Sequence, residues 1–270
     1  MTYLGFLALF VWTPLVLIIA VAVARIRVDG ARSPQWIIGP RVVVLLAVIS
    51  VLWTTPWDNW IIGRGVWSYH GDRLIGTVFR VPVEEYLFMV SQTLLVGLWT
   101  LCVFSLNAAK PHLIARPVPE SPQTGHRRIR SALVWLGVAL AGSSLAAHYD
   151  HWVYLGSLLL WFGPVFALQR AVCADELRQW RIPRALSLLP VALLWIADFI
   201  GIKEGIWSFS NTYTLGLRLN ELPVEDALFF LVTSLLLVDG LLLSLHPAVG
   251  DKLSAAAKVL VRHRSGRKLP

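Results

Sequence analysis

Charge is scarce in this sequence. Asp, Glu, Lys and Arg make up 15% of its 270 residues, against 56% hydrophobic residues. So little polar surface cannot cover a water-soluble globule, and the positive mean hydropathy places the chain in a bilayer. Cysteine occurs twice, at Cys102 and Cys173, both in or beside apolar runs, which argues against a disulfide framework. No Gly-x-Gly-x-x-Gly is present, so no flavin or nicotinamide cofactor is expected. The last apolar run has no lysine, as a retinal-binding pump would require. No tetrahedral metal-ligand set is evident, and His148, Asp150 and His151 sit in a short turn.

What the sequence does have is apolar length. Runs long enough to cross about 30 Å of hydrocarbon fall near 3–24, 36–53, 83–106, 131–147, 152–172, 185–201 and 223–246. The second is the weakest, because Gly39, Pro40 and Arg41 interrupt its start, and Pro190 predicts a kink in the sixth. The start Met1-Thr2-Tyr3 has no basic flank, so the first run is expected to stay as an anchor. Among the Lys and Arg residues, Arg64, Arg73, Arg80, Lys203 and Arg218 fall on the side of the N-terminus, and all others fall opposite. The positive-inside rule then puts the N-terminus outside and the C-terminus in the cytoplasm of a multi-pass membrane protein. The net charge of +8 is thereby a topology signal, not a nucleic-acid footprint.

The chain repeats itself. Asp58, Gly65, Trp67, Ser68 and Gly76 recur 140 residues later as Asp198, Gly205, Trp207, Ser208 and Gly216. After a one-residue insertion, Pro82-Val83-Glu84-Glu85-Tyr86-Leu87-Phe88 recurs as Pro223-Val224-Glu225-Asp226-Ala227-Leu228-Phe229. The expected fold is therefore an all-α membrane protein: seven transmembrane helices as two parallel three-helix repeats joined by one linking helix. Its parts are a first repeat over 1–106, a linker and connecting helix over 107–147, a second repeat over 148–248 and a basic cytoplasmic tail over 249–270. The stretch 107–130 reads as a cytoplasmic linker. The long segments 54–82 and 198–222 are expected to fold back over the outer end of the bundle.

Both acidic motifs then open a hydrophobic helix at the same membrane face. An ionised carboxylate is costly to remove from water. One reading is N-terminal capping, since proline suits the first helical turn and the helix dipole favours an anion there. The dipole contributes only about 0.3–1 kcal/mol, and capping needs no Trp-Ser string upstream. If the two first turns face each other, four carboxyls crowd one apolar chamber, and mutual repulsion keeps at least one protonated. Neighbours on a helix point about 100° apart, so one acid of each pair is expected to face the chamber and the other its rim or loop. Phe88 and Phe229 stack one turn below Glu84 and Glu225. A neutral acid beside aromatic faces suits a reaction that protonates carbon and stabilises the carbocation formed.

These strings resemble the membrane-integral, flavin-free lycopene cyclases, known as two small subunits or one fused chain. The likeness covers both halves, the Gly-x-Trp-Ser strings, and Pro82 to Glu85 with Pro223 to Asp226. It implies β-ring formation at the ends of lycopene, giving β-carotene through a one-ringed intermediate, as a redox-neutral isomerisation without a cofactor. It implies catalytic roles among Glu84, Glu85, Glu225 and Asp226, with Glu84 and Glu85 as acid and supporting carboxylate and Glu225 as partner or proton acceptor. Trp67, Phe88, Trp207 and Phe229 are the candidate substrate-binding residues. Asp226 stands where the first half has Glu85, so the halves are not expected to be equivalent. Asp58 and Asp198 read as structural, and Asp239 as a packing contact. The competing class is a small-solute transporter, which shares the three-plus-one-plus-three plan.

Overall fold

A computed structural model describes residues 1–108 and 121–246 together with Val249. Most of the tail expected over 249–270, and most of the linker before residue 121, lie outside the described residues. Among the described residues, seven helices are long and apolar enough to cross a membrane: α1 (Tyr3–Asp29), α2 (Gln35–Gly63), α3 (Val83–Leu106), α4 (Pro122–His148), α5 (Asp150–Gln179), α6 (Arg181–Lys203) and α7 (Val224–Leu245). They match the seven apolar runs.

Three helix boundaries carry physical detail that hydropathy misses. α2 runs through Gly39-Pro40 instead of starting after them. A Cβ on Gly39 would lie 2.4 Å from Leu101 Cδ2 of α3, so the glycine lets the two helices pack closely. α4 starts at Pro122, capped by the Ser121 side chain, which accepts from Thr124 N. Part of the expected linker is therefore helix. Its charge run is paired across to α5, Arg127 with Asp175 at 3.1 Å and Arg128 with Glu176 at 2.9 Å. α6 breaks into Arg181–Ser187 and Leu189–Lys203, with Pro190 at the start of the second piece, as the kink expectation required.

The two long outer segments close over the bundle in matched ways. At the ends of α2 and α6, Gly65 and Gly205 adopt φ of 76° and 66°. Val66 N then donates to Ile61 O, and Ile206 N to Gly201 O. These are helix C-terminal motifs in which glycine takes the left-handed position without a Cβ penalty. The chain continues into β1 (Trp67–Tyr69) and, in the second half, β4 (Trp207–Phe209). β1 and β4 pair antiparallel with Ser68 opposite Ser208, their hydroxyls 3.1 Å apart. Each segment then makes a small hairpin, β2 (Thr77–Val78) with β3 (Val81–Pro82), and β5 (Arg218–Leu219) with β6 (Leu222–Pro223). The prolines end β3 and β6 and deliver the chain into α3 and α7. The repeated Trp-Ser string is thus the seam between halves, and beneath it lies one aromatic core cluster that includes Tyr3, Phe6, Trp57, Trp67, Tyr154, Trp207 and Phe229.

Candidate active site

The first turns of α3 and α7 place two acids each. Glu84 is fully buried, and its Oε1 accepts a 2.7 Å bond from the backbone N of Ile75. Glu225 does the same to Leu215 N at 2.5 Å. Each thus ties the segment above it to the helix below, and each keeps one buried oxygen without a hydrogen-bond partner among the described residues. The second acid of each pair points elsewhere. Glu85 Oε2 accepts from Tyr3 Oη at 2.6 Å and from Tyr69 Oη at 2.9 Å. Asp226 Oδ1 accepts from the Tyr154 hydroxyl, and the Asp226 and Asp198 carboxyls lie within hydrogen-bonding reach of each other. Asp198, 3% exposed, accepts from Trp207 Nε1 at 2.9 Å through its own Oδ1.

Glu85, Asp198 and Asp226 line one chamber. Trp67, Phe88, Trp207 and Phe229 line it too, so all four aromatic candidates meet there. Glu84 and Glu225 do not line it. Asp58, 2% exposed, is inside the helix and buried beside this cluster, not solvated at its end. The Tyr69 phenol, on the segment between α2 and α3, is pushed well above its ordinary value by burial and by the neighbouring Glu85 carboxyl. It stays a donor throughout the physiological range.

A larger groove shares Glu85, Phe88 and Phe229 with the chamber and is lined by residues of α2, α3, α5 and α7. Along α7 it extends from Phe229 to Gly240, about 16 Å at 1.5 Å per residue. Its walls are mostly apolar, and three of them, Ile49, Trp53 and Leu168, are 47%, 43% and 65% exposed on the outside of the bundle. Of the chamber's acids, Glu85 also lines this groove.

Sequence reasoning missed the three tyrosines. Tyr69 had a signal, since it stands two residues after Trp67, where the second half has Phe209. Tyr3 and Tyr154 are 151 residues apart, outside the repeat spacing, and Tyr3 lies at the start of a run read only as an anchor. Asp198 carried a signal in its register with Asp58, but not the direction of its side chain. Elsewhere, Asp239 on α7 is fully buried against Arg170 at 3.0 Å and against Arg184, a structural ion cluster away from the chamber. Asp150 faces Arg64 at 4.0 Å, and His148 Nδ1 lies 2.8 Å from Ser144 O. No group of three or more metal-ligating side chains occurs among the described residues.

Comparison with known proteins gives a consistent result. A protein family described as lycopene cyclase matches residues 1–103 and 150–240. Lycopene beta-cyclases of two Halobacterium salinarum strains are each 36% identical over 243 residues, 90% of this chain and 95% of theirs. A bifunctional lycopene cyclase/phytoene synthase of Arthroderma gypseum is 32% identical over 212 residues, 74% of this chain and 35% of its own length. No solved structure matches.

Proposed function

Because the chain belongs to the lycopene cyclase family, we propose that it closes β-rings on the ends of lycopene, giving β-carotene through a one-ringed intermediate. The observation that carries this reading is the buried carboxyl cluster at the head of an apolar, lipid-facing groove. A polyene enters between α2 and α5, lies along α7 and brings one acyclic end against Glu85 and Asp226. A carboxyl proton goes to C2, leaving a cation at C1. The C5–C6 double bond attacks C1, which forms the C1–C6 bond and moves the charge to C5. Loss of the C6 proton to a carboxylate then gives the ring double bond. No electrons enter or leave, and the proton given is matched by the proton taken.

The surroundings suit each step. Water would trap the cation, and the chamber wall is aromatic instead. Phe229 stacks on Trp57 with centroids 5.6 Å apart, and Phe88 meets Phe230 edge-on at 5.9 Å. Ring faces stabilise a desolvated cation by about 2 kcal/mol each without reacting with it. Phe88, Phe229, Trp67 and Trp207 hold the end group, Glu85 and Asp226 exchange protons with it, and Glu84 and Glu225 brace the covering segments. Two parallel three-helix repeats, with the outer face bearing the acids and the cytoplasmic face bearing most of the basic residues, complete the reading. Transport has no support from the family, and a groove with carboxyls at its head fits a reaction.

Expression in a lycopene-producing bacterium, with pigments resolved by chromatography, tests the proposal. Conversion to one- and two-ringed carotenoids is expected. Cells that stay red with folded protein in their membranes would contradict it.

A further inference from the structure

We propose that Asp198 is the proton-holding partner of Asp226, so that this pair supplies the proton while Glu85 receives the one lost from C6. The inference rests on the cyclase reading and goes beyond it by dividing the labour between the two halves and adding a residue outside the Pro-Val-acid-acid motifs. Three observations carry it.

The first is the donor pattern. Glu85 Oε2 takes two hydroxyl donors, from Tyr3 and Tyr69. That is the arrangement of an acceptor, and charge-assisted bonds of this kind are the strong ones. Asp226 receives one hydroxyl, from Tyr154, and its other close neighbour is a second carboxyl, that of Asp198. Two carboxyls within hydrogen-bonding reach need a proton between them, because two carboxylates have only lone pairs to offer. The second observation is burial. Asp198 is 3% and Asp226 5% exposed, no Lys or Arg among the described residues lines the chamber, and a pair of unscreened anions there would be repelled. The third is orientation. Trp207 Nε1 holds Asp198 Oδ1 in place, while its Oδ2 is buried with no hydrogen-bond partner among the described residues. That oxygen is free to carry the shared proton.

The cycle closes on this arrangement. The pair gives its proton to C2 of the substrate and becomes doubly ionised. Glu85 takes the C6 proton and becomes neutral. One proton passing from Glu85 to the pair restores the starting state, with no external oxidant or reductant. Asp198 acts through Asp226 and is in this sense a positioning residue.

The experiment is steady-state conversion of lycopene by full-length protein in membranes, normalised to folded protein. Asp198→Asn keeps the volume and the acceptor for Trp207 but removes the shared proton. It is expected to lower kcat by about 100-fold or more, with the half-saturating lycopene concentration unchanged. Asp198→Glu, which keeps a carboxyl, is expected to recover most of that loss. The double variant Asp198→Asn/Asp226→Asn should be no slower than Asp226→Asn alone, as for residues that work as a unit. If Asn at 198 supports turnover as well as Glu, or if the two single losses multiply in the double variant, Asp198 merely seats Trp207 and the inference falls. Asp198→Glu at background rate with folded protein in the membrane overturns it as well. A wild-type protein that makes no cyclic carotenoid instead brings down the cyclase reading itself.

Discussion

Tyr3 stacks on Tyr69 with ring centroids 6.0 Å apart, and Tyr154 stacks on Phe209 at the same spacing, yet only the first pair carries two hydroxyls. The same backbone therefore presents different acids. In the first half a long arm, Glu85, is gripped by two phenols. In the second a short arm, Asp226, is gripped by one, and turns to Asp198. The tryptophans differ as well. Trp207 Nε1 donates to Asp198, whereas Trp67 Nε1 and Asp58 Oδ2 have no hydrogen-bond partner among the described residues. The two halves share a loop-braced helix start, and a few side-chain differences underlie the proposed split into a proton acceptor and a proton donor. What stayed equal is the scaffold, since Glu84 and Glu225 make the same kind of bond to the segment above them.

The largest effect is expected from the chamber acids themselves: Glu85→Gln and Asp226→Asn should each cut cyclisation by about 1000-fold, the scale of losing an acid or base. Chromatography of pigments per folded molecule checks both, and wild-type conversion by either would remove that residue from the chemistry. Next come the phenols. Tyr69→Phe leaves Glu85 with one donor, and a charge-assisted bond of about 1.5–3 kcal/mol corresponds to a loss of about tenfold or more. Phe209→Tyr, which copies the first half into the second, should lose a similar amount by competing with Asp198 for Asp226. An unchanged rate in Phe209→Tyr would mean that the difference between the halves is not functional.

Smaller effects sharpen the scaffold side. Glu84→Gln keeps an acceptor for Ile75 N–H, so conversion per folded molecule should stay within about threefold, in contrast to Glu85→Gln one position later. A full loss there would put Glu84 back among the reacting groups. The smallest change belongs to the seam. Ser68→Ala removes one exposed hydroxyl contact to Ser208 and should cost about 0.5–1.5 kcal/mol of stability, read as a lower thermal midpoint in detergent.

Much of this was legible in the sequence because its causes are local or repeated. Seven apolar runs specify seven helices by length alone. Gly65 and Gly205 recur because the helix ends need a left-handed residue, and the paired Trp-Ser strings recur because they meet at the seam. Adjacent acids had to diverge on a helix, and they do, one to the loop and one to the chamber. The start of α4 was obscured because Arg127 and Arg128 look like loop charges until Asp175 and Glu176 appear opposite them. The tyrosines were not legible for a related reason: Tyr3 and Tyr154 reach the acids from helices distant in sequence, and no spacing rule connects 3 with 85 or 154 with 226. Asp198 could be placed by register, but its bond to Trp207 and its approach to Asp226 are three-dimensional facts.

The proposed division of labour needs a neutral carboxylic acid in the chamber at physiological pH, opposite an acceptor carboxylate. Infrared difference spectroscopy of wild-type membranes against Asp198→Asn/Asp226→Asn membranes reads this without any substrate. A protonated-carboxyl carbonyl band is expected in the wild type and absent from the double variant. A difference spectrum containing only ionised carboxylate at neutral pH would contradict it.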